Sequence, residues 1–139
     1  VKGFLLDTNV LSETSRQKPH SAVYRFISEC PDLWVPVIVI DEVQRGLDLL
    51  PHGRKRDRLS DWLAKTLVAF ENRFLAVGLR EAHWSGKFRA HAKHIGYQMT
   101  HGDALIAATA ASNELCLATR NVKDFDFLGI DILNPWEQP

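Results

Sequence analysis

The chain has 139 residues, 17 Lys and Arg against 17 Asp and Glu, and 45% hydrophobic side chains. That is the length of one ordinary domain, able to bury a core without disulfide or metal staples. The composition excludes a disordered or collagen-like chain, and no apolar run approaches the ~20 residues of a membrane span.

Along the chain, strand-like and helix-like periodicities alternate. Gly3 to Leu6 is a short apolar run ending at Asp7, read as a buried strand. Thr8 to Glu13 starts a short helix, and Ser21 to Cys30 sets Val23, Phe26 and Ile27 at helical spacing. Leu33 to Val37 is a second strand. Ile38 to Leu50 carries Val39, Val43, Leu47 and Leu50 on one stripe, and Pro51-His52-Gly53 breaks it. Arg54 to Phe70 is helical, Arg73 to Val77 strand-like, and Arg80 to Ile95 helical again, ended by Gly96. Asp103 to Glu114 is an Ala-rich helix that must pack closely, with Asp103 as its first residue. Leu115 to Thr119 is a strand, followed by an acidic turn and a last strand around Ile130 to Leu133. Such alternation predicts parallel βαβ units, one domain over 1–139, and a sheet covered on both faces. In open sheets of this kind, sites gather beyond the carboxyl ends of the strands.

A net charge of zero argues at first sight against a nucleic-acid partner, but the charge is uneven. Residues 1–53 hold 5 basic and 7 acidic side chains, 54–102 hold 10 and 4, and 103–139 hold 2 and 6, giving −2, +6 and −4. The basic middle contains Arg54, Lys55, Arg56 and Arg58, then Lys87, Arg89 and Lys93 among His83, His91, His94 and His101. A solvated helix face explains such runs as well as an anion-binding surface does. The histidines follow no metal-ligand spacing and are expected to coat a helix. Cys30 and Cys116 form no CxxC pair and read as buried free thiols. With no leader pattern after Val1, and a missing initiator Met that suggests trimming, they favour a reducing cytoplasm.

Four acids fall where the sheet rule directs attention. Asp7 directly follows the first strand, Glu42 borders the buried stripe after the second, Asp103 opens the Ala-rich helix, and Asp124 follows the strand at 115–119. Each has an ordinary explanation: a helix cap for Asp7 and Asp103, a surface pair with Arg45 for Glu42, a turn acid for Asp124 or its neighbour Asp126. Asp41 points about 100° away from Glu42 and cannot serve the same place. Together, clustered carboxylates raise one another's pKa unless a cation neutralises them. Oxygen ligands suit Mg²⁺ or Mn²⁺, which polarise phosphoryl oxygens and activate water. One ion or two is left open.

These residues resemble PIN-domain nucleases. The resemblance lies in Phe4-Leu5-Leu6-Asp7-Thr8-Asn9-Val10-Leu11-Ser12-Glu13, Asp41-Glu42-Val43-Gln44-Arg45-Gly46 and Gly102-Asp103-Ala104-Leu105-Ile106-Ala107-Ala108-Thr109-Ala110. It continues through Ala118-Thr119-Arg120-Asn121-Val122-Lys123-Asp124-Phe125, and Leu133-Asn134-Pro135-Trp136 looks like the end of the VapC-type toxin branch, especially its FitB-like members. The likeness covers essentially the whole chain in the right order.

The resemblance implies a three-layer α/β/α sandwich around a parallel sheet of about five strands. It implies a Mg²⁺- or Mn²⁺-dependent endoribonuclease, the toxin of a type II toxin–antitoxin pair. Asp7, Glu42 and Asp103 map onto the metal-binding acids, Asn9 onto a residue supporting the first acid, and Thr119 onto a site-lining hydroxyl. The fourth acidic place goes to Asp124, with Asn121 as a neutral ligand or supporting group and Asp126 a weaker candidate. Arg54, Lys55, Arg56, Lys87, Arg89 and Lys93 would hold an RNA backbone. Implied partners are RNA, a small antitoxin placing an Arg against the acids, and a second copy in a homodimer. Trp34, Trp62, Trp84 and Trp136 are interface or core aromatics. Two other classes stand beside this reading. One is a catalytically silent PIN-like module that binds RNA or protein, expected to have lost one of the acids. The other is a phosphatase with Asp7 as nucleophile, which Asp7-Thr8-Asn9 disfavours by lacking the second acid of Asp-x-Asp.

Overall fold

The computed structural model describes residues 3–137. The apolar run after Gly3 forms β1 (Phe4–Leu6), and the chain turns at Asp7 into α1 (Thr8–Glu13). There follow α2 (Ser21–Glu29), β2 (Leu33–Pro36), α3 (Val37–Asp48), α4 (Arg54–Ala69) and β3 (Phe74–Leu75). The remainder is α5 (Leu79–His94), α6 (His101–Ser112), β4 (Cys116–Ala118), 3-10 turns at Val122–Asp124 and Asp126–Leu128, β5 (Ile132–Leu133) and a 3-10 turn at Pro135–Glu137.

The five strands form one sheet in the order β3-β2-β1-β4-β5, every pair parallel. Phe4 pairs with Leu33 on one side and Cys116 on the other, so β1 is central. Helices flank the sheet in an α/β/α arrangement, as the alternating periodicities predict. The chain adds β2 and β3 outward from β1, then crosses back to add β4 and β5. The direction of winding therefore reverses between β1 and β4. Right-handed crossovers turn that reversal into a change of face and open a crevice at the carboxyl ends of those two strands.

The core explains why the strands are so apolar. Leu5, Leu6, Val35 and Leu117 are fully buried on the two faces of the sheet, and Ala104, Ala107, Ala108 and Ala110 of α6 are also fully buried. Each such Leu contributes roughly 1.5–3 kcal/mol by leaving water. The alanines let α6 approach the sheet closely. Phe125, fully buried, anchors the turns after β4.

Several element ends differ from the sequence reading. The helix expected to open on Asp103 begins at His101, and Thr100 is its cap, its hydroxyl accepting the Asp103 N–H at 3.1 Å. Asp103 is therefore the third residue of α6. The hydroxyl cap wins because it satisfies an otherwise orphaned donor of the first turn. Gly96 ends α5 at φ +78°, and Tyr97 N–H reaches back to the Ala92 carbonyl at 2.9 Å. Cys30 and Cys116 are in no disulfide and are half-buried, not the fully buried pair expected, since both lie at element ends. His83, His91 and His94 are exposed on α5, whereas His101 belongs to α6. No helix among the described residues is long and apolar enough to cross a membrane.

Candidate active site

Asp7 is the hub of the crevice. It is 4% exposed, and its backbone N–H donates to the Ala118 carbonyl at 3.0 Å, locking the exit of β1 to the exit of β4. Its Oδ1 accepts the Thr8 N–H at 2.7 Å. Its Oδ2 accepts the Thr119 hydroxyl at 2.7 Å and the Asn9 amide at 3.2 Å. Asp7 is thus also the cap of α1, so the ordinary explanation and the buried-carboxylate one hold together. Burial pushes its carboxyl up from the usual range, while the Thr119, Thr8 and Asn9 donors pull it back. With one hydrogen bond on Oδ1, that oxygen keeps a lone pair for a cation.

The partners of Asp7 are themselves fixed. Asn9 Oδ1 accepts the Arg120 N–H at 3.1 Å, and Thr119 Oγ1 accepts the Asn121 N–H at 3.0 Å. Asn121 therefore joins the network through its backbone. Arg120 lies over the Trp136 ring at 5.0 Å, tying the turn to the end of the described chain.

Glu42 comes in from α3. Its Oε2 accepts the Thr8 hydroxyl at 3.0 Å. Its Oε1 lies 3.3 Å from where a Cβ on Gly102 would sit, so a larger residue there would push the carboxylate back by a few tenths of an ångström. Burial raises the Glu42 carboxyl, helped by the charges of Asp7 and Asp41 and opposed by the Thr8 bond. Asp103 stands beside that glycine. Burial, then the charges of Asp7, Asp124 and Glu42, push its carboxyl up to about 6. Asp124 completes the set from the 3-10 turn after β4, where the Tyr97 hydroxyl donates to its Oδ1. That bond pushes the Tyr97 phenol up to about 12, and the ring packs on Phe127 at 4.9 Å.

Four acids from four elements thus share one edge of the sheet, and Asp7, Glu42 and Asp103 are each raised in part by the charge of another of the set. No Lys or Arg among the described residues forms an ion pair with any of them. The donor set is all oxygen, and the glycine cradle at Gly102 brings Glu42 toward Asp103. Both suit a hard divalent cation. Among the described residues, no three of the His, Cys, Asp or Glu side chains are already drawn into one cage. Glu42 and Asp124 are each committed on one oxygen to a neighbouring hydroxyl, so direct chelation draws on their second oxygens.

The sequence reading missed Thr8 and Tyr97. Thr8 carried a weak signal as the hydroxyl next to Asp7. Tyr97 carried a weaker one, as the aromatic hydroxyl after the glycine that stops α5. Asp41 and Asp126 are exposed.

The basic candidates separate. Lys55 lines the same recess as Thr8 and Glu42. Arg54 is exposed at the first turn of α4, while Arg56 turns away to the Leu50 carbonyl at 3.1 Å and to Asp48 at 3.7 Å. Arg89 and Lys93 line a recess with Tyr97, whereas Lys87 lies over the Trp84 ring at 5.5 Å on another face of α5. The tryptophans are mostly structural. The Trp62 N–H donates to Thr14 at 2.9 Å and the Trp34 N–H to Asp32 at 2.8 Å, while Trp84 is 39% exposed.

A family model described as PIN domain matches residues 4–129. The chain is 34% identical to VapC ribonuclease Y4jK of Sinorhizobium fredii, over 96% of this chain and 97% of that protein. It is 32% identical to Toxin FitB of Neisseria gonorrhoeae, over 95% and 97%. The crystal structure of FitAcB from Neisseria gonorrhoeae superposes with a TM-score of 0.88 at 32% identity, covering 97% of this chain and 99% of that one.

Proposed function

The chain belongs to the PIN domain family, and from that premise we propose that it is a Mg²⁺- or Mn²⁺-dependent endoribonuclease, the toxin of a toxin–antitoxin pair. One observation carries the reading: Asp7, Glu42, Asp103 and Asp124 converge on one sheet edge, electrostatically coupled, and no Lys or Arg among the described residues forms an ion pair with them. The similarity to a protein named a VapC ribonuclease supports RNA as the substrate class.

In this reading the four carboxylates hold the cation. When bound, it polarises a phosphoryl oxygen and makes water a stronger nucleophile. The protein's own contribution is positioning. Thr119, Asn9 and the Thr8 N–H fix the Asp7 carboxylate in one orientation. Thr8 and Tyr97 do the same for Glu42 and Asp124. Their preset geometry lowers the reorganisation needed when charge develops on the phosphate. Basic side chains around the crevice hold flanking phosphates without reading sequence.

This chain resembles subunits of solved toxin–antitoxin complexes, and with that analogy we propose a small antitoxin that covers the site, a second copy of the toxin and a cytoplasmic location. An antitoxin Arg against the carboxylates would compete with the cation for the same charge.

The test is cleavage of a mixed RNA pool by purified protein. We expect endonucleolytic ends in Mg²⁺ or Mn²⁺, none in chelator, and a loss of at least a hundredfold in Asp7→Asn. Intact RNA in all conditions would leave a silent binding module as the better description.

A further inference from the structure

Beyond the carboxylates, one groove joins features that no contiguous stretch of sequence unites. It runs between α1 and α4. Its inner part, about 320 Å³, starts at Thr8 and Glu42 and is walled by Val43, Leu47, Leu59 and Trp62. Its outer part, about 640 Å³, is lined by Arg16, Lys18, Lys55 and Arg58. Ser12, Ser15, Lys55 and Leu59 line both, so the two parts adjoin, and the inner one reaches the Glu42 carboxylate.

The mouth of this channel is strongly positive. Lys55 and Arg58 lie one turn apart on α4, and Leu59 and Trp62 continue the same stripe inward. Arg16 and Lys18 come from the segment after α1, some forty residues earlier in the chain. Among the described residues the acid lining the mouth is Glu13, whose buried carboxylate already accepts the His20 N–H at 2.8 Å and Arg16 at 3.4 Å. Arg16 keeps 66% of its side chain in solvent while doing so. Lys18, Lys55 and Arg58 form no ion pair among the described residues and point their charge into water.

We propose that this groove is a binding track for single-stranded RNA on one side of the scissile phosphate. The phosphates run past Arg16, Lys18, Lys55 and Arg58, and one unstacked base rests on the apolar inner wall beside Glu42. The proposal deepens the ribonuclease reading and rests on it. A phosphate chain is the occupant that fits, because it carries a charge at every residue and so meets cations spread along an open channel. The apolar wall next to the reacting edge suits a base turned out of its stack. The same groove separates the useful cations of α4 from the others, since Arg56 is spent on Asp48 and Leu50.

The experiment is fluorescence anisotropy with a short labelled single-stranded RNA in chelator, so that no cleavage occurs, across a series of salt concentrations. Lys18→Glu and Arg58→Glu are each compared with the parent and with Lys65→Glu, an exposed charge on α4 that lines neither part of the groove. Thermal unfolding checks that each variant is folded. We expect either groove variant to bind about tenfold more weakly, with the log–log salt slope reduced by about 0.7 per lost phosphate contact. Lys65→Glu should stay close to the parent. Groove variants with parental affinity and slope would overturn the track. So would variants that keep RNA binding but lose capture of the co-expressed antitoxin, which would assign the groove to a protein. A parent that binds this RNA yet never cleaves it in Mn²⁺ would sink the nuclease reading while the track stands. A parent that cleaves, with groove variants unchanged in binding, would do the reverse.

Discussion

A carboxylate in the first turn of a helix ordinarily gains from the helix dipole, yet Asp103, the third residue of α6, is pushed up to about 6. Burial and the charges of Asp7, Asp124 and Glu42 outweigh the dipole and the Thr100 cap. The folded-state value lies above the ordinary 3.8, so between the two the folded protein binds the extra proton. That contribution to stability is fully present below about 3.8 and is lost as pH rises through about 6. Asp103→Asn removes the repulsion. In chelator it should therefore be more stable relative to the parent at pH 7 than at pH 4, by on the order of 1 kcal/mol once solvent screening of this half-buried group is allowed for. Equal differences in melting temperature at the two pH values would show that the carboxylates do not feel one another.

At the level of the element, α6 is the piece whose start matters most. Its alanines are fully buried and the helix packs on α5, α3 and β4, so it is held along its buried length. Its first turn is different, because it is only partly buried and is held by the Thr100 hydroxyl on the Asp103 N–H at 3.1 Å. Thr100→Ala should cost about 1 kcal/mol, read as a lower denaturation midpoint, and Thr100→Ser should restore most of it. Since that turn also carries Asp103 and the glycine that admits Glu42, the alanine variant should bind Mn²⁺ several-fold more weakly by titration. Unaltered Mn²⁺ affinity with lowered stability would separate the cap from the site. The turn after β4 is secured otherwise, by fully buried Phe125 next to Asp124.

For the whole molecule, the parallel sheet sets the carboxyl ends of β1, β2 and β4 side by side, and like charges gather there. A cation bound only by the folded state stabilises it by roughly 2.7 kcal/mol at a hundredfold excess over Kd. Mg²⁺ or Mn²⁺ should therefore raise the melting temperature of the parent by several degrees, reversibly with chelator, and Asp7→Asn should lose most of that rise. A rise of equal size in the variant would point to a cation site elsewhere. The uneven charge acquires a meaning at this scale too. The acidic ends of the chain meet at the crevice, and part of the basic middle, Lys55 and Arg58, joins Arg16 and Lys18 of the first segment along one groove.

The sequence alone determined the element order and the parallel sheet. Strands of two to four residues that are apolar throughout, alternating with helical segments along most of the chain, leave few other ways to bury both faces. The acids at strand ends were visible for the same reason, as carboxylates are costly there without a purpose. Helix ends were read less well: the hydroxyl of Thr100 took the cap that Asp103 was expected to fill. Contacts between distant segments left no local pattern. The Tyr97 hydroxyl on Asp124, the Gly102 cradle for Glu42 and the meeting of Lys18 with Arg58 each depend on how far apart packed helices sit. That spacing is fixed by side-chain volumes across the whole core. Only the tertiary structure could decide which of many hydroxyls and cations face the crevice, because charge and polarity in a sequence carry no direction until the core orients the helices that bear them.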